Sequence, residues 1–232
     1  MLNLITCPVC GTSHMQVNIL SCTKCKHIFR NYPLINLEDY YTNHYRSDFT
    51  QEIEIRSNAV MRSRNEFRLS AIEPFLNSVK EILEVGFGYG DFYQVLKEKH
   101  PSKTYSCCEL DANLASRAKQ NGIDTFNCAF QDMPTKMYDA VVSFDVLEHF
   151  YNPHDYLNKL LSLLKKDGIA VIQVPTDRRI HFEQPFDGHY HYFSKESLYY
   201  LMGQNFENLM FYKTKRGESA NGREFLTVWK LK

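Results

Sequence analysis

ILEVGFGYGDF, residues 82–92, is the stretch whose reading decides the fold. A short apolar run carrying one acid, Glu84, ends in glycines at 86, 88 and 90, and Phe92, Val95 and Leu96 then share one helical face. The pattern predicts a strand, a tight loop and a helix, with Asp91 as its cap and Gln94 completing a capping box. Outward from this unit, strands and helices alternate. TYSCCEL, DAVVSF and IAVIQV read as buried strands. One helix runs through Leu114, Ala115 and Ala118 and stops at Asn121-Gly122; another starts at Asn152-Pro153 with Leu157, Leu160, Leu161 and Leu164 inside. Such alternation makes an α/β fold with a parallel sheet covered on both faces. Near the end, SKESLYYLM reads as a capped helix, and FENLMFYKT and EFLTVWKLK as an antiparallel hairpin on the sheet's edge.

In an open α/β sheet the ligand lies beyond the carboxyl ends of the strands, where a glycine loop lets backbone approach it. A dinucleotide is the first expectation, but its fingerprint is G-x-G-x-x-G. Here the spacing is G-x-G-x-G, and Asp91 opens the helix that should face a pyrophosphate. An anion fits poorly there.

E-x-G-x-G-x-G instead resembles the first motif of class I S-adenosylmethionine-dependent methyltransferases. Further pieces follow in order over residues 79–232. Glu109 ends the second strand, AFQDMP carries Asp132 and Met133, and YDAVVSFDVLEHFYNP leads into LLSLLKKDGIAVIQVP. The resemblance implies a Rossmann-like fold, a mostly parallel seven-stranded sheet with a C-terminal antiparallel hairpin, and S-adenosylmethionine as cofactor. It implies that Glu84 holds the methionyl ammonium, that Gly86, Phe87, Gly88 and Gly90 lie along methionine and ribose, and that Glu109 accepts both ribose hydroxyls beside Leu110. Asp132 would take the adenine amino group, with Met133 and Phe144 near the ring.

Residues 1–37 form a separate unit with the pattern C-x2-C-x11-C-x2-C. Each C-x2-C puts two thiolates on one turn, and two facing turns make a tetrahedral site for Zn2+ at Cys7, Cys10, Cys22 and Cys25. Four thiolates leave no position for water, so this metal is expected to hold structure. Cys107, Cys108 and Cys128 read as small buried hydrophobes. Residues 38–78 are read as an aromatic linker, with Tyr40, Tyr41 and Tyr45, and a helical lid. Its apolar side holds Val60, Met61, Phe67, Leu69 and Ile72, and Pro74 ends it. Its arginines, Arg68 included, read as a solvated face. The whole arrangement resembles bacterial zinc-ribbon methyltransferases of surface-polysaccharide and nucleotide-sugar pathways.

Methyl transfer to oxygen needs a base. His149 in DVLEHF follows the fourth core strand, where the acceptor should sit. His189 and His191 stand two apart in a later loop, and one of them is expected to reach the acceptor. Arg178 and Arg179 in the same loop suit a phosphate on the substrate. In ubiquinone-pathway O-methyltransferases and small-RNA 2'-O-methyltransferases a similar E-x-x-E-H with a later His holds Mg2+. Here Asp145, Glu148 and His149 stand in those places, with His189 and His191 as candidates for the later ligand, and the shorter Asp145 weighs against a second metal.

Lys plus Arg equal Asp plus Glu at 27 each, so no global basic field gathers nucleic acid. The three cations of residues 1–37, set against the net −2 of Zn2+ on four thiolates, leave about +1, too little for a phosphate footprint. No apolar run is long enough for a membrane, and the first residues lack the pattern of a signal peptide, so a cytoplasmic location is expected. The expected function is O-methylation of a small sugar-type or phosphorylated metabolite. An RNA methyltransferase that grips its substrate with the ribbon, and a cofactor-binding module without turnover, are the alternatives. Nothing in the sequence fixes an oligomeric state.

Overall fold

The computed structural model describes residues 4–15, 19–30, 51–176, 188–215, 218 and 223–232. In the N-terminal unit β1 (Leu4–Thr6) pairs antiparallel with β2 (Ser13–Met15), and β3 (Ile19–Ser21) with β4 (Ile28–Arg30). Two equivalent turns carry the cysteines. Gly11 N donates to Cys7 O at 3.0 Å, and Lys26 N to Cys22 O at 2.9 Å. Both closing residues are left-handed, Gly11 at φ 73° and Lys26 at φ 58°.

Helix α1 (Gln51–Ile72) comes next and ends in a 3-10 turn at Glu73–Phe75, as Pro74 requires. Then β5 (Glu81–Val85), α2 (Asp91–Lys99), β6 (Thr104–Cys108), α3 (Ala112–Gln120), β7 (Asp124–Phe126), β8 (Tyr138–Phe144), α4 (Pro153–Leu163) and β9 (Leu164–Pro175) alternate. The chain closes with β10 (His191–Tyr192), α5 (Lys195–Met202), β11 (Phe206–Lys213) and β12 (Glu224–Leu231). The main sheet has seven strands in the order β11-β12-β9-β8-β5-β6-β7. The pairings from β9 to β7 are parallel, and β12 and β11 add antiparallel as the expected hairpin. Strand order reverses beside β5, because the chain runs β5-β6-β7 outward and returns with β8 on the other side. That reversal opens a crevice at the carboxyl ends of β5 and β8.

Most local signals hold. Asp111 and Asn152 cap α3 and α4 through their side chains, and Ser194 and Ser197 form a capping box on α5. Three expectations do not. The cap of α2 is Gly90, left-handed at φ 81° with no side-chain cap bond, and Asp91 is already the first helical residue. The helix read through Leu164 ends at Leu163, and β9 starts directly after it; Lys165 there pairs with Glu81 and Asp139. Val60 is 51% exposed, and α1 contributes Leu69 and Ile72 to a buried cluster shared with Ile82, Phe92 and Val95.

The glycines of the loop answer partly to the protein itself. A Cβ on Gly86 would stand 2.6 Å from Val146 Cγ2, and one on Gly90 would stand 2.4 Å from the Phe87 ring. Both also have positive φ. Gly90→Ala is therefore expected to lower unfolding stability by about 2 kcal/mol, from left-handed strain together with displacement of the buried Phe87 ring. Denaturant unfolding with an unchanged midpoint would remove that constraint.

Candidate functional site

The crevice holds a cleft of about 1020 Å³. Its floor is the run of strand ends: Glu84–Tyr89 after β5, Cys108–Ala112 after β6, Asn127–Asp132 after β7 and Phe144–Val146 after β8. One face of α1, with Met61, Arg64, Asn65 and Arg68, forms a side wall, and His149–Asn152 forms part of another.

Carboxylates rim the floor. Glu84 is 3% exposed, and its Oε2 has no hydrogen-bond partner. Burial pushes its pKa well above 4.5, Arg68 pulls it down, and Glu109 and Asp91 push it up again. Glu109 accepts from Gly88 N at 2.8 Å and from Asp111 N at 2.9 Å, so it ties the glycine loop to the end of β6. Asp132 is exposed at the lip, in a 3-10 turn over Phe130–Asp132. Of the other cofactor-side residues, Gly86, Phe87, Gly88, Leu110 and Phe144 line the cleft. Gly90 and Met133 do not: Gly90 packs under Phe87, and Met133 is buried in the core beside the floor.

Arg68 overturns the reading of a solvated face. It is 7% exposed and lies 4.5 Å from the Phe144 ring centroid. Its guanidinium donates to Gln173 Oε1 at 3.0 Å, Asn65 Oδ1 at 3.1 Å and Asp145 Oδ2 at 3.0 Å. Gln173 passes the connection to Glu224 Oε2 at 2.7 Å. Asp145 is held left-handed at φ 59°, a strained conformation for a residue with a side chain, at the mouth of the site. The signal in the sequence was faint: one arginine among four on a helix, distinguishable only by the face it shares with Leu69 and Ile72.

The histidines divide. His149 ends the 3-10 turn Leu147–His149, and its Nδ1 donates to Gly188 O at 2.8 Å. In the neutral ring this places the lone pair on Nε2. His189 packs edge-on against it at 4.7 Å between centroids and comes within 4.0 Å of Glu148 Oε1. Glu148 is fully buried, and both its oxygens lack hydrogen bonds. Burial and then the Asp145 charge push its pKa well above 4.5. One ligand atom from each of Glu148, His149 and His189 lies within 4.8 Å of the others. Residues two apart on extended chain share a face, and His191 does lie over the same turn as His189. Both its nitrogens are engaged there, with His27 and with the Phe150 carbonyl, so it stays outside the cluster. Burial lowers its pKa to about 4. Arg178, Arg179, Tyr40, Tyr41 and Tyr45 lie outside the described residues.

The four N-terminal sulfurs converge, with every pair within 4.8 Å, Cys7 to Cys25 at 3.9 Å and Cys10 to Cys22 at 3.4 Å. Burial pushes the Cys7 thiol up to about 11. At Cys10 burial raises the pKa, but hydrogen bonds from Thr12 and the neighbouring thiols bring it down to about 6. Cys107 and Cys108 are buried in β6 as expected, whereas Cys128 lies past β7 and lines the cleft.

This geometry, a glycine loop and successive acids at the strand ends of a seven-stranded sheet, agrees with the match to a methyltransferase-domain model over residues 54–209. The chain belongs to the methyltransferase-domain family. The domain is a class I S-adenosylmethionine-dependent methyltransferase domain, and the match takes in most of α1. The chain is 27% identical over 120 residues to a ubiquinone biosynthesis O-methyltransferase of Rickettsia canadensis, covering 47% of this chain and 49% of that protein. It thus spans about half the length of the curated relatives it matches. Its fold is similar to that of Burkholderia thailandensis 1,6-didemethyltoxoflavin-N1-methyltransferase, solved with that compound and S-adenosylhomocysteine: TM-score 0.65, 15% identity, 93% of this chain and 99% of that one. An S-adenosylmethionine-dependent methyltransferase of Thermotoga maritima gives TM-score 0.62 at 20% identity over 82% of this chain and 99% of that one. No helix among the described residues is long and apolar enough to cross a membrane.

The orphaned Glu148 sets a pH dependence. Its folded-state pKa is raised, so its favourable contribution is complete below about 4.5 and is lost as pH rises towards the folded value. Glu148→Gln, which cannot ionise, should therefore gain in melting temperature over the parent progressively above that pH, in buffer without divalent cations. A pH-independent difference would contradict the assignment.

Proposed function

We propose that the chain catalyses S-adenosylmethionine-dependent methyl transfer to a hydroxyl of a small acceptor, with His149 as the base. One observation carries the cofactor half of the reading: Glu84, a buried carboxylate without a partner, lies at the end of β5 beside the glycine loop. A cation is what such a group lacks, and the methionyl ammonium is one. Glu109 would take the ribose hydroxyls in place of the backbone donors it now holds, and Asp132 at the lip suits the adenine amino group. Gly86 and Gly88 line the cleft and would present main chain to methionine and ribose, although the space beside the Gly86 Cα is taken by Val146. The bound cofactor supplies an activated methyl group; the protein's part is alignment, exclusion of water and removal of the acceptor's proton.

His149 favours oxygen over nitrogen as the acceptor atom. Its Nδ1–H is committed to Gly188 O, the tautomer that leaves Nε2 as the proton-accepting atom. The similarity to enzymes named O-methyltransferases supports the same choice. Of the sugar or phosphorylated acceptor expected from the zinc-ribbon resemblance, the described residues support the hydroxyl alone. A cleft of about 1020 Å³ accommodates a small molecule beside a nucleoside cofactor.

Two metals enter the proposal. The converging Cys7, Cys10, Cys22 and Cys25 fit Zn2+, which would hold the N-terminal turns together. A second reading of the acceptor side is favoured by the unpartnered Glu148: with His149 and His189 it fits a divalent cation, which would acidify an acceptor hydroxyl. Asp145 is committed to Arg68, and His191 to His27 and Phe150, so these two fall away from the set the motif suggested.

Glu109→Ala is expected to weaken S-adenosylhomocysteine binding at least tenfold, about 1.4 kcal/mol, in calorimetric titration. Unchanged affinity would remove the ribose assignment. A panel of phenols, sugar nucleotides and phosphorylated alcohols, read by adenosylhomocysteine release, identifies the acceptor. With that acceptor His149→Ala should lower kcat by about 100-fold while cofactor affinity stays near the parent's; an unaltered rate would exclude the base.

A further inference from the structure

Residues 188–194 form a strap that touches two bodies at once. On the catalytic side, Gly188 O accepts from His149 Nδ1 at 2.8 Å, and Tyr190 N donates to Glu148 O at 2.9 Å. On the other side the strap belongs to the N-terminal unit. There β10 is the third strand of the β3–β4 sheet, with His191 opposite Phe29 and Tyr192 opposite Ile28. Arg30 N donates to Tyr190 O at 2.8 Å, and Ser194 Oγ to Cys25 O at 2.6 Å. One backbone thus completes a sheet of the four-cysteine unit and presents His189 to Glu148 and His149.

Between the two bodies lies a directed pair of buried imidazoles. His191 Nε2 sits 2.7 Å from Phe150 O, which can only accept, so the ring carries its proton there. In the neutral ring Nδ1 then accepts, and the donor 3.1 Å away is His27 Nε2. His27 is fully buried, between Phe29, Phe193 and His191 with centroids 5.9, 4.8 and 5.1 Å away. The hydrogen bonds run one way, from a ring two residues past Cys25 to the carbonyl next after His149.

We propose that His27 and His191 are positioning residues, through which the four-cysteine unit sets the placement of His189 and His149 at the acceptor side of the cleft. The inference rests on the proposed function only in calling that side the acceptor's; the coupling itself is a statement about side-chain placement. It gives the N-terminal unit a part in the reaction beyond its own stability. It also makes the polarity of the pair specific: a donor is required at position 27, and an aromatic ring alone does not suffice.

The test uses the full chain and long-range proton–nitrogen spectra of the imidazoles, which report tautomer and surroundings without any acceptor. His149→Asn and His189→Asn identify the two cross-peaks. His27→Phe keeps the ring and removes the donor; His27→Gln keeps a donor near the place of Nε2. The His149 and His189 cross-peaks should shift or broaden in His27→Phe and return in His27→Gln, with S-adenosylhomocysteine affinity within about twofold in both. The parent should show His191 and His27 as Nε2–H tautomers and His149 as Nδ1–H. Cross-peaks unmoved in His27→Phe, or displaced equally in His27→Gln, would overturn the proposal. Should His27→Phe fail to fold, His27→Met removes the donor with an adaptable side chain and is judged by the same criterion. A parent chain with no methyltransferase turnover would count against the function proposed above and leave the spectra to decide the coupling alone.

Discussion

A carboxyl group shut away from water without a donor is unfavourable when charged, so it stays protonated or waits for a cation. Glu84 is that group here, and the arrangement around it follows. It is the last residue but one of the central strand β5, where the order of the sheet reverses. The glycine loop beside it excludes side chains, partly because Val146 and Phe87 fill the space where Cβ atoms would go. Glu109, next door on β6, clips the loop through Gly88 N and adds further negative potential. Among the described residues the cation that acts on Glu84 is Arg68, and its guanidinium is bonded to Asp145, Gln173 and Asn65 instead. The cleft lining is rich in acids, which suits the positively charged ligand proposed for it.

The parallel sheet and its edge hairpin were legible because apolar strands and amphipathic helices differ in period, and because glycine, asparagine and serine mark the helix ends; the count of seven strands came from the resemblance, and their order only from the structure. Glu84 and Glu109 were singled out by the resemblance, and the structure sets each at or just past the end of an apolar strand, on the lining of the cleft. Arg68 was not. Charge on a helix is usually solvated, and only the packing of α1 against the sheet turns this arginine inward. The α2 cap was misread for want of backbone angles, since Gly90 in the left-handed region does by conformation what a side-chain cap does by hydrogen bonding.

The histidines show where spacing stops being informative. His149, His189 and His191 read alike along the chain, as ring nitrogens in loops near the same strand ends. What separates them is the partner on each nitrogen. A main-chain carbonyl fixes the tautomer of His149. His189 meets an unpartnered acid, and His191 is consumed by a contact with a residue 164 positions earlier. No local pattern encodes a contact of that range, although the four cysteines did announce that a compact unit stood at the N-terminus to make one.

The central claim, that Glu84 is a buried acid awaiting the ammonium of a sulfur nucleoside, is tested most directly by proton linkage. S-adenosylhomocysteine is titrated calorimetrically near neutral pH into parent and Glu84→Gln chains, in buffers of different ionisation enthalpy. Because burial raises the acid's pKa and a bound cation lowers it, binding should release protons from the parent, tighten as pH rises and lose this linkage in the variant. Binding with the same proton count in both chains, or no binding by the parent, would contradict the account.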